Sequence, residues 1–274
     1  MKILYIINVM HDNYIEIKIE QGTEQWKELR SKYITGSYIA EILGYGKGLP
    51  RDFYEFLKNK RINDQIINEN LQEYFDLGIK YEPYIRYIHC NLIKQKIRTC
   101  GLFVGNPNMI EYGKLAVSPD GLLLNNDGSD NMDIVCEYKT IINYIYNENS
   151  NRCIHGVPKE YLIQTMQEMY LTGRSNTHFL AYCIKTDELI CKNIYFSQEF
   201  WNWASPKLCL FSDWVFNRKL LPMHFKDWSN KPDLKNIIKV GPIIREDDKY
   251  VIPEKIQNIT EFIYKDIDFT NIYF

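Results

Sequence analysis

The chain has 274 residues, 45% of them hydrophobic and 25% charged, and its 21 Tyr and 13 Phe supply most of a 14% aromatic share. This is ordinary globular composition with enough apolar material for a full core, which excludes disorder as the main state. A net charge of −2 gives the molecule as a whole no pull on polyanions, so nucleic-acid binding would need a locally basic groove or metal ions.

No stretch approaches the roughly 20 uninterrupted apolar residues of a membrane span. The longest apolar run, near Ile3–Met10, is too short and lacks a small-residue cleavage site. The expectation is a soluble, intracellular protein with no membrane partner. Seven cysteines, an odd number with no Cys-x-x-Cys pair, fit a reducing compartment in which thiols pack rather than bridge. Abundant Ile, Asn, Lys and Tyr, whose codons are AT-rich, point to an AT-rich genome such as that of a large DNA virus. A virus-encoded protein would then act in the host cytoplasm or nucleus.

In chain order, Thr23 opens a helix that places Trp26, Leu29 and Arg30 on one face. Thr35-Gly36-Ser37 precedes Ile39, Ala40, Ile42 and Leu43, which predicts a second helix with hydroxyls at its start. Tyr81, Ile85, Ile88 and Leu92 mark a longer helix, with Glu82 and Arg86 beside its buried stripe and Gly78 ahead of it for close packing. From about residue 100 the period changes. Gly101–Val104, Lys114–Val117, Gly121–Leu124 and Asp133–Thr140 read as an antiparallel meander, with Asn125–Gly128 as the last turn. Leu162, Met166 and Met169 form a helical stripe that begins near Pro158 and closes at Gly173. Strands over His178–Ile184 and Leu189–Phe196 follow. A helix from Ser197 to about Leu220 then carries Pro206, which is expected to kink or divide it. Beyond Pro222 the pattern is weak, and one compact domain is the simplest organisation.

Chemistry concentrates in Ser118-Pro119-Asp120-Gly121 and in Glu137-Tyr138-Lys139. Side chains alternate along a strand, so Glu137 and Lys139 share one face and Cys136 and Tyr138 take the other. Asp120, at the bend between adjacent strands, can reach the Glu137 face. Two anionic carboxylates and the neutral carbonyl of Tyr138 suit a hard cation that keeps its remaining waters. Lys139 would then orient an attacking water or help its deprotonation. Taken alone the pattern is weak. Its bland alternative is a turn Asp and a solvated Glu–Lys pair worth at most about 1 kcal/mol.

Placed in order, five blocks resemble the YqaJ-type viral recombinase family. They are Gln25-Trp26-Lys27-Glu28-Leu29-Arg30 with Ile34-Thr35-Gly36-Ser37; Leu77-Gly78-Ile79-Lys80-Tyr81-Glu82; Ser118-Pro119-Asp120-Gly121-Leu122; Glu137-Tyr138-Lys139; and Val157-Pro158-Lys159-Glu160-Tyr161-Leu162-Ile163-Gln164. That family includes the lambda exonucleases and belongs to the PD-(D/E)XK nuclease superfamily. The resemblance covers about residues 18 to 200. It implies an α/β (α+β) restriction-endonuclease-like core, a central mixed sheet flanked by helices, within a nuclease domain over 1–220, followed by an extension of unknown role over 221–274. It implies Mg²⁺, with Mn²⁺ as substitute, and degradation of the 5′ strand at double-stranded DNA ends to leave 3′ tails. It also implies pairing with a single-strand annealing protein and a ring of three subunits.

Carried over by position, the resemblance puts Asp120, Glu137 and the Tyr138 carbonyl on metal and Lys139 on the water. Glu82 falls where the family has a helix carboxylate near the metals, although an i,i+4 pair with Arg86 explains it equally well. Arg30, Thr35, Ser37, Ser118 and Gln164 match the family's pocket for the terminal 5′-phosphate, where a guanidinium and hydroxyls suit an acceptor-rich anion. Two departures stand out. Tyr138 is bulkier than the family's residue there, and Gln164 is followed by Gln167 rather than by a glutamine two positions on. Competing functions are a nuclease of the same core that cuts internally or at branched structures, and a non-catalytic DNA-binding recombination accessory. A paired-carboxylate glycosidase is remote, since it leaves Lys139 without a role.

Overall fold

The computed structural model describes residues 8–10, 14–62, 69–106, 114–143, 146, 150–217 and 219–243. Most of the N-terminal apolar run and the last part of the expected C-terminal extension, 244–274, lie outside the described residues. Among the described residues the strands form one six-stranded sheet, one five-stranded sheet and a two-stranded ribbon. The five-stranded sheet runs β1 (Asn8–Met10), β2 (Tyr14–Ile17), β5 (Leu102–Gly105), β6 (Leu115–Val117) and β3 (Ile34–Thr35), with only β3 and β6 parallel. The six-stranded sheet runs β13 (Val240–Pro242), β12 (Leu189–Tyr195), β11 (Asn176–Cys183), β8 (Asp130–Ile141), β7 (Gly121–Leu124) and β4 (Ile97–Arg98). Its single parallel pair, β8 with β11, makes it mixed. The ribbon pairs β9 (Cys153–Ile154) with β10 (Val157–Pro158).

Alternation along β8 decides what lies on each face of the larger sheet. Cys136 and Tyr138, with Leu180 and Tyr182 of β11, bury against Tyr84, Ile85 and Ile88 of α4 (Glu69–Ile93). Val135, Phe179 and Ala181 bury on the opposite face against Leu162 and Met166 of α5 (Lys159–Thr172). The expected mixed sheet flanked by helices is therefore present. Gln167 of α5 donates to the carbonyls of Ile34 at 3.2 Å and Ala116 at 3.1 Å, which ties the helix to the parallel pair of the smaller sheet. α5 ends at Gly173, whose φ of +68° is the left-handed conformation that glycine adopts at low cost.

The other helices are α1 (Glu24–Arg30), capped by the Thr23 hydroxyl on Trp26 N at 3.2 Å, then α2 (Ile39–Ile42), α3 (Pro50–Ile62), α6 (Gln198–Phe216) and α7 (Leu234–Ile237). A single 3-10 turn, Gly36–Tyr38, leads into α2.

Four expectations change. The meander is split between sheets, because Pro119 separates β6 from β7 and its carbonyl is taken by Gln21 at 2.9 Å rather than by a strand. α6 continues through Pro206, held on both sides of it by the buried Phe200, Trp201, Leu208 and Phe211. α4 begins twelve residues before Tyr81, and among the described residues Gly78 packs closely against nothing, since a Cβ there would meet none of their atoms within 4 Å. The described residues past Pro222, 223–243, pack on the core. Trp228 stacks on Trp214 at 5.6 Å, its indole donates to Ile42 O at 2.7 Å, and β13 extends the larger sheet.

Candidate active site

β7 and β8 part where the reactive side chains collect. Asp120 N donates to Cys136 O at 3.2 Å, and the next donor on β8, Tyr138 N, donates to Asp120 Oδ2 at 2.6 Å. A carboxylate thus replaces a strand partner at the end of the ladder. A strand residue directs its N–H and C=O to the same flank, so the Tyr138 carbonyl opens on the side of the Asp120 carboxylate. The Tyr138 ring points the other way, with its hydroxyl 2.9 Å from His89 Nδ1, while His89 Nε2 lies 2.9 Å from His178 Nδ1. Tyr138 therefore fills the α4 side of the sheet without touching the carboxylates.

Glu137 is 2% exposed, and its Oε1 accepts from Lys139 Nζ and, at 2.6 Å, from Gln164 Nε2. Its Oε2 is buried with no hydrogen-bond partner. Lys139 Nζ also lies 4.8 Å from the centroid of the Tyr161 ring. Burial works against the charge of Lys139, but Glu137 and Asp120 outweigh it and hold the ammonium pKa above its usual range. Burial, Glu137 and Glu82 push the Asp120 carboxyl well above the ordinary value. Burial also raises Glu82, against the pull of Arg86. Arg86 contacts Glu82 and donates to Asp120 O at 3.0 Å, so the i,i+4 pair and the approach to the site are one arrangement.

A second cluster adjoins the first. Arg30 Nη2 donates to Ser37 Oγ at 2.9 Å and lies 3.4 Å from Thr35 Oγ1, and those two hydroxyls are 3.2 Å apart. The guanidinium sits 4.8 Å from the Trp26 ring centroid, and Trp26 Nε1 donates to Ser118 Oγ at 2.9 Å. Among the described residues no carboxylate is in ion-pair contact with Arg30, and burial lowers its pKa. Such a group would gain from an incoming anion. Gly36 joins the clusters: a Cβ there would lie 3.2 Å from Gln164 Cγ.

The structure thus brings Asp120, Glu137, Tyr138 O and Lys139 together, sets Glu82 beside them through Arg86, and links Arg30, Thr35, Ser37 and Ser118 through shared hydrogen bonds and Trp26. Gln164 lies on the carboxylate side, its amide nitrogen between Glu137 and Glu168. Sequence reasoning missed Glu168, Tyr161 and the buried histidine pair. The i,i+4 spacing from Gln164 to Glu168 on a helix was the available signal for the first.

Among the described residues no three His, Cys, Asp or Glu side chains are already spaced as a cage for an ion. The donor chemistry nevertheless fits one. Mutually repelling carboxylates and an orphaned buried Glu137 oxygen suit a hard divalent cation that completes its shell with water.

Among curated proteins no relative matches the chain at a significant level. In solved structures the fold is similar to that of an alkaline exonuclease (LHK-Exo) from Laribacter hongkongensis, with TM-score 0.54, 20% identity, and coverage of 72% of this chain and 94% of that one. The same enzyme in complex with dAMP gives TM-score 0.54 at 21% identity with the same coverage. The core is restriction-endonuclease-like. The profile of the YqaJ-like viral recombinase domain matches residues 25–175, which hold the Asp120, Glu137 and Lys139 centre and the Arg30 cluster alike, and the chain belongs to that family.

Proposed function

We propose that the chain is a Mg²⁺-dependent DNA exonuclease, able to use Mn²⁺, that degrades the 5′ strand at duplex ends and leaves 3′ single-stranded tails for recombination or replication. The observation that carries the reading is Glu137, clamped through one oxygen by Lys139 and Gln164 and left with the other buried and unpartnered beside Asp120. Family membership and the fold shared with the Laribacter alkaline exonuclease support it. That enzyme's complex with dAMP supports release of deoxynucleoside monophosphates.

Asp120, Glu137 and the Tyr138 carbonyl hold the cation, and Glu82 is the fourth candidate oxygen donor. When bound, the cation polarises a phosphoryl oxygen and stabilises the leaving 3′-oxygen. Lys139, its ammonium oriented by Glu137 and by the Tyr161 ring, positions the attacking water. Arg30, Thr35, Ser37 and Ser118 receive the terminal 5′-phosphate, and Gln164 borders that pocket beside Gly36. A terminal phosphate held there offers the next phosphodiester to the carboxylate centre. The partners are a DNA end and a single-strand annealing protein, and the assembly is a ring of three subunits.

The test uses one plasmid in two forms with Mg²⁺. Consumption of the linear form with survival of the covalently closed circle is expected. Loss of both forms would favour the internal-cutting nuclease, and loss of neither would favour the non-catalytic accessory.

A further inference from the structure

We propose that Glu168 is a positioning residue of this centre: its carboxylate anchors the Gln164 amide, and the anchored amide determines which oxygen of Glu137 faces a divalent cation. The inference rests on the reading of the centre as a metal-dependent nuclease.

A primary amide nitrogen carries two hydrogens. In Gln164 one faces Glu137 Oε1 at 2.6 Å and the other faces Glu168 Oε1 at 2.7 Å. Glu137 Oε1 thus accepts from both Lys139 and Gln164, while Oε2 of the same carboxylate stays buried without a partner. The amide selects the orphan oxygen. A half-turn of that amide would aim its own carbonyl oxygen at both carboxylates, so Glu168 doubles the penalty for the wrong orientation. Gly36 leaves room for the stem, because a Cβ there would lie 3.2 Å from Gln164 Cγ.

A stabilising role does not account for Glu168. It is 1% exposed, its Oε2 has no hydrogen-bond partner, and none of the ion pairs among the described residues includes it. Burial and the nearby Glu137 push its carboxyl well above the ordinary range. A buried carboxyl group without a cation lowers stability. Its position one helical turn beyond Gln164, with an acceptor on the amide, is what its surroundings supply in exchange.

The test measures Mn²⁺ binding to the full chain by titration calorimetry, alongside thermal melting of the metal-free proteins. Glu168→Gln keeps an acceptor oxygen and should hold Mn²⁺ within about threefold of wild type. Glu168→Leu should weaken Mn²⁺ about 10-fold or more, as loss of a residue that orients a metal ligand typically does. Glu168→Asp retains the carboxyl group but withdraws the acceptor by one methylene, so it should weaken Mn²⁺ too, and it keeps the question answerable if the leucine variant does not fold. Gln164→Leu should match Glu168→Leu, and the double variant should be no weaker than either alone, because both act through one amide. Wild-type affinity in Glu168→Leu or Glu168→Asp, or losses that multiply in the double variant, would overturn the inference while leaving the nuclease reading in place. A wild-type protein that neither binds Mn²⁺ nor degrades DNA would overturn both.

Discussion

Asp120 Oδ2 accepts the backbone N–H of Tyr138 at 2.6 Å, so the residue that caps the β7–β8 ladder is also the first proposed ligand of the cation. Asparagine at position 120 can still accept that N–H through its side-chain oxygen. Asp120→Asn should therefore fold, yet lose at least about 10²-fold in nuclease activity, the scale of other lost electrostatic contributions to catalysis. Without metal it should melt higher than wild type, because burial, Glu137 and Glu82 all oppose the ionised carboxylate at neutral pH. Added Mg²⁺ should raise the melting temperature of wild type and not of the variant. Nuclease assays and melts with and without Mg²⁺ check all three points, and an active variant would remove Asp120 from the centre.

Arg30 carries the end-recognition proposal. Arg30→Ala should slow digestion of a 5′-phosphorylated duplex much more than that of a 5′-hydroxyl duplex, since only the first uses the lost contact. A charge-assisted hydrogen bond is worth about 1.5–3 kcal/mol, or about 10- to 100-fold in rate when expressed in the transition state. Equal digestion of the two ends by wild type, with equal slowing in the variant, would make Arg30 a general contact.

Acid should destabilise the fold in two stages. Burial pushes His178 down to about 4 and His89 well below its usual value, with the neighbouring His178 adding to the latter. Both rings stay neutral in the fold while the unfolded chain takes up protons below about pH 6.5. Their stabilisation is complete above that pH and falls away as pH drops toward 4, by about 3 kcal/mol for His178 at roughly 1.4 kcal/mol per pH unit. Glu16 and Asp130 act lower. Burial raises Glu16, but hydrogen bonds from Arg98 and Lys18 outweigh it, and the Arg98 hydrogen bond lowers Asp130. These two contribute fully above about pH 4.5 and lose their contribution as pH falls through their depressed values. Urea unfolding across pH 3 to 8 resolves the stages. His89→Gln with His178→Asn should flatten the upper one alone.

Arg98 bridges Glu16 at 3.0 Å and Asp130 at 2.6 Å, joining strands β2 and β4 to the start of β8. Arg98→Met should cost about 3 kcal/mol, because it leaves the 2%-exposed Glu16 with only Lys18 and the Gly101 N–H, at 3.2 Å, to balance its charge. Urea midpoints measure this, and a change below about 1 kcal/mol would show that Lys18 beside Glu16 and Arg174, 3.6 Å from Asp130, suffice.

A ring of three subunits would retain DNA by topology where a net charge of −2 gives little long-range attraction. Sedimentation at micromolar concentration should show a trimer. A monomer that still digests DNA processively would defeat the ring.

The clustering of the candidate centre was legible because its signals are local. Strand alternation put Glu137 and Lys139 on one face and Tyr138 on the other, and Thr23, Gly128 and Gly173 behaved as cap and turn residues do. The split meander was not legible, since β6 and β7 have the same apolar pattern and the Pro119 carbonyl between them is taken by Gln21, nearly a hundred residues earlier, and by the Cys100 thiol. Glu168 escaped for a related reason. A glutamate one turn along a helix reads as solvated surface until the strand that Gln164 faces, and with it the burial of that side, is known.

The dual-faced strand β8 also bears on what changes the protein can absorb. Inserting or deleting one residue before Glu137 would swap the two faces, sending Glu137 and Lys139 toward α4 and Tyr138 toward α5. Such a frame change would bury an ammonium and a carboxylate in the aromatic layer and empty the space that Tyr138 fills. Length changes at the two ends of this strand would leave both faces in place, whereas a slip between them should cost stability along with activity.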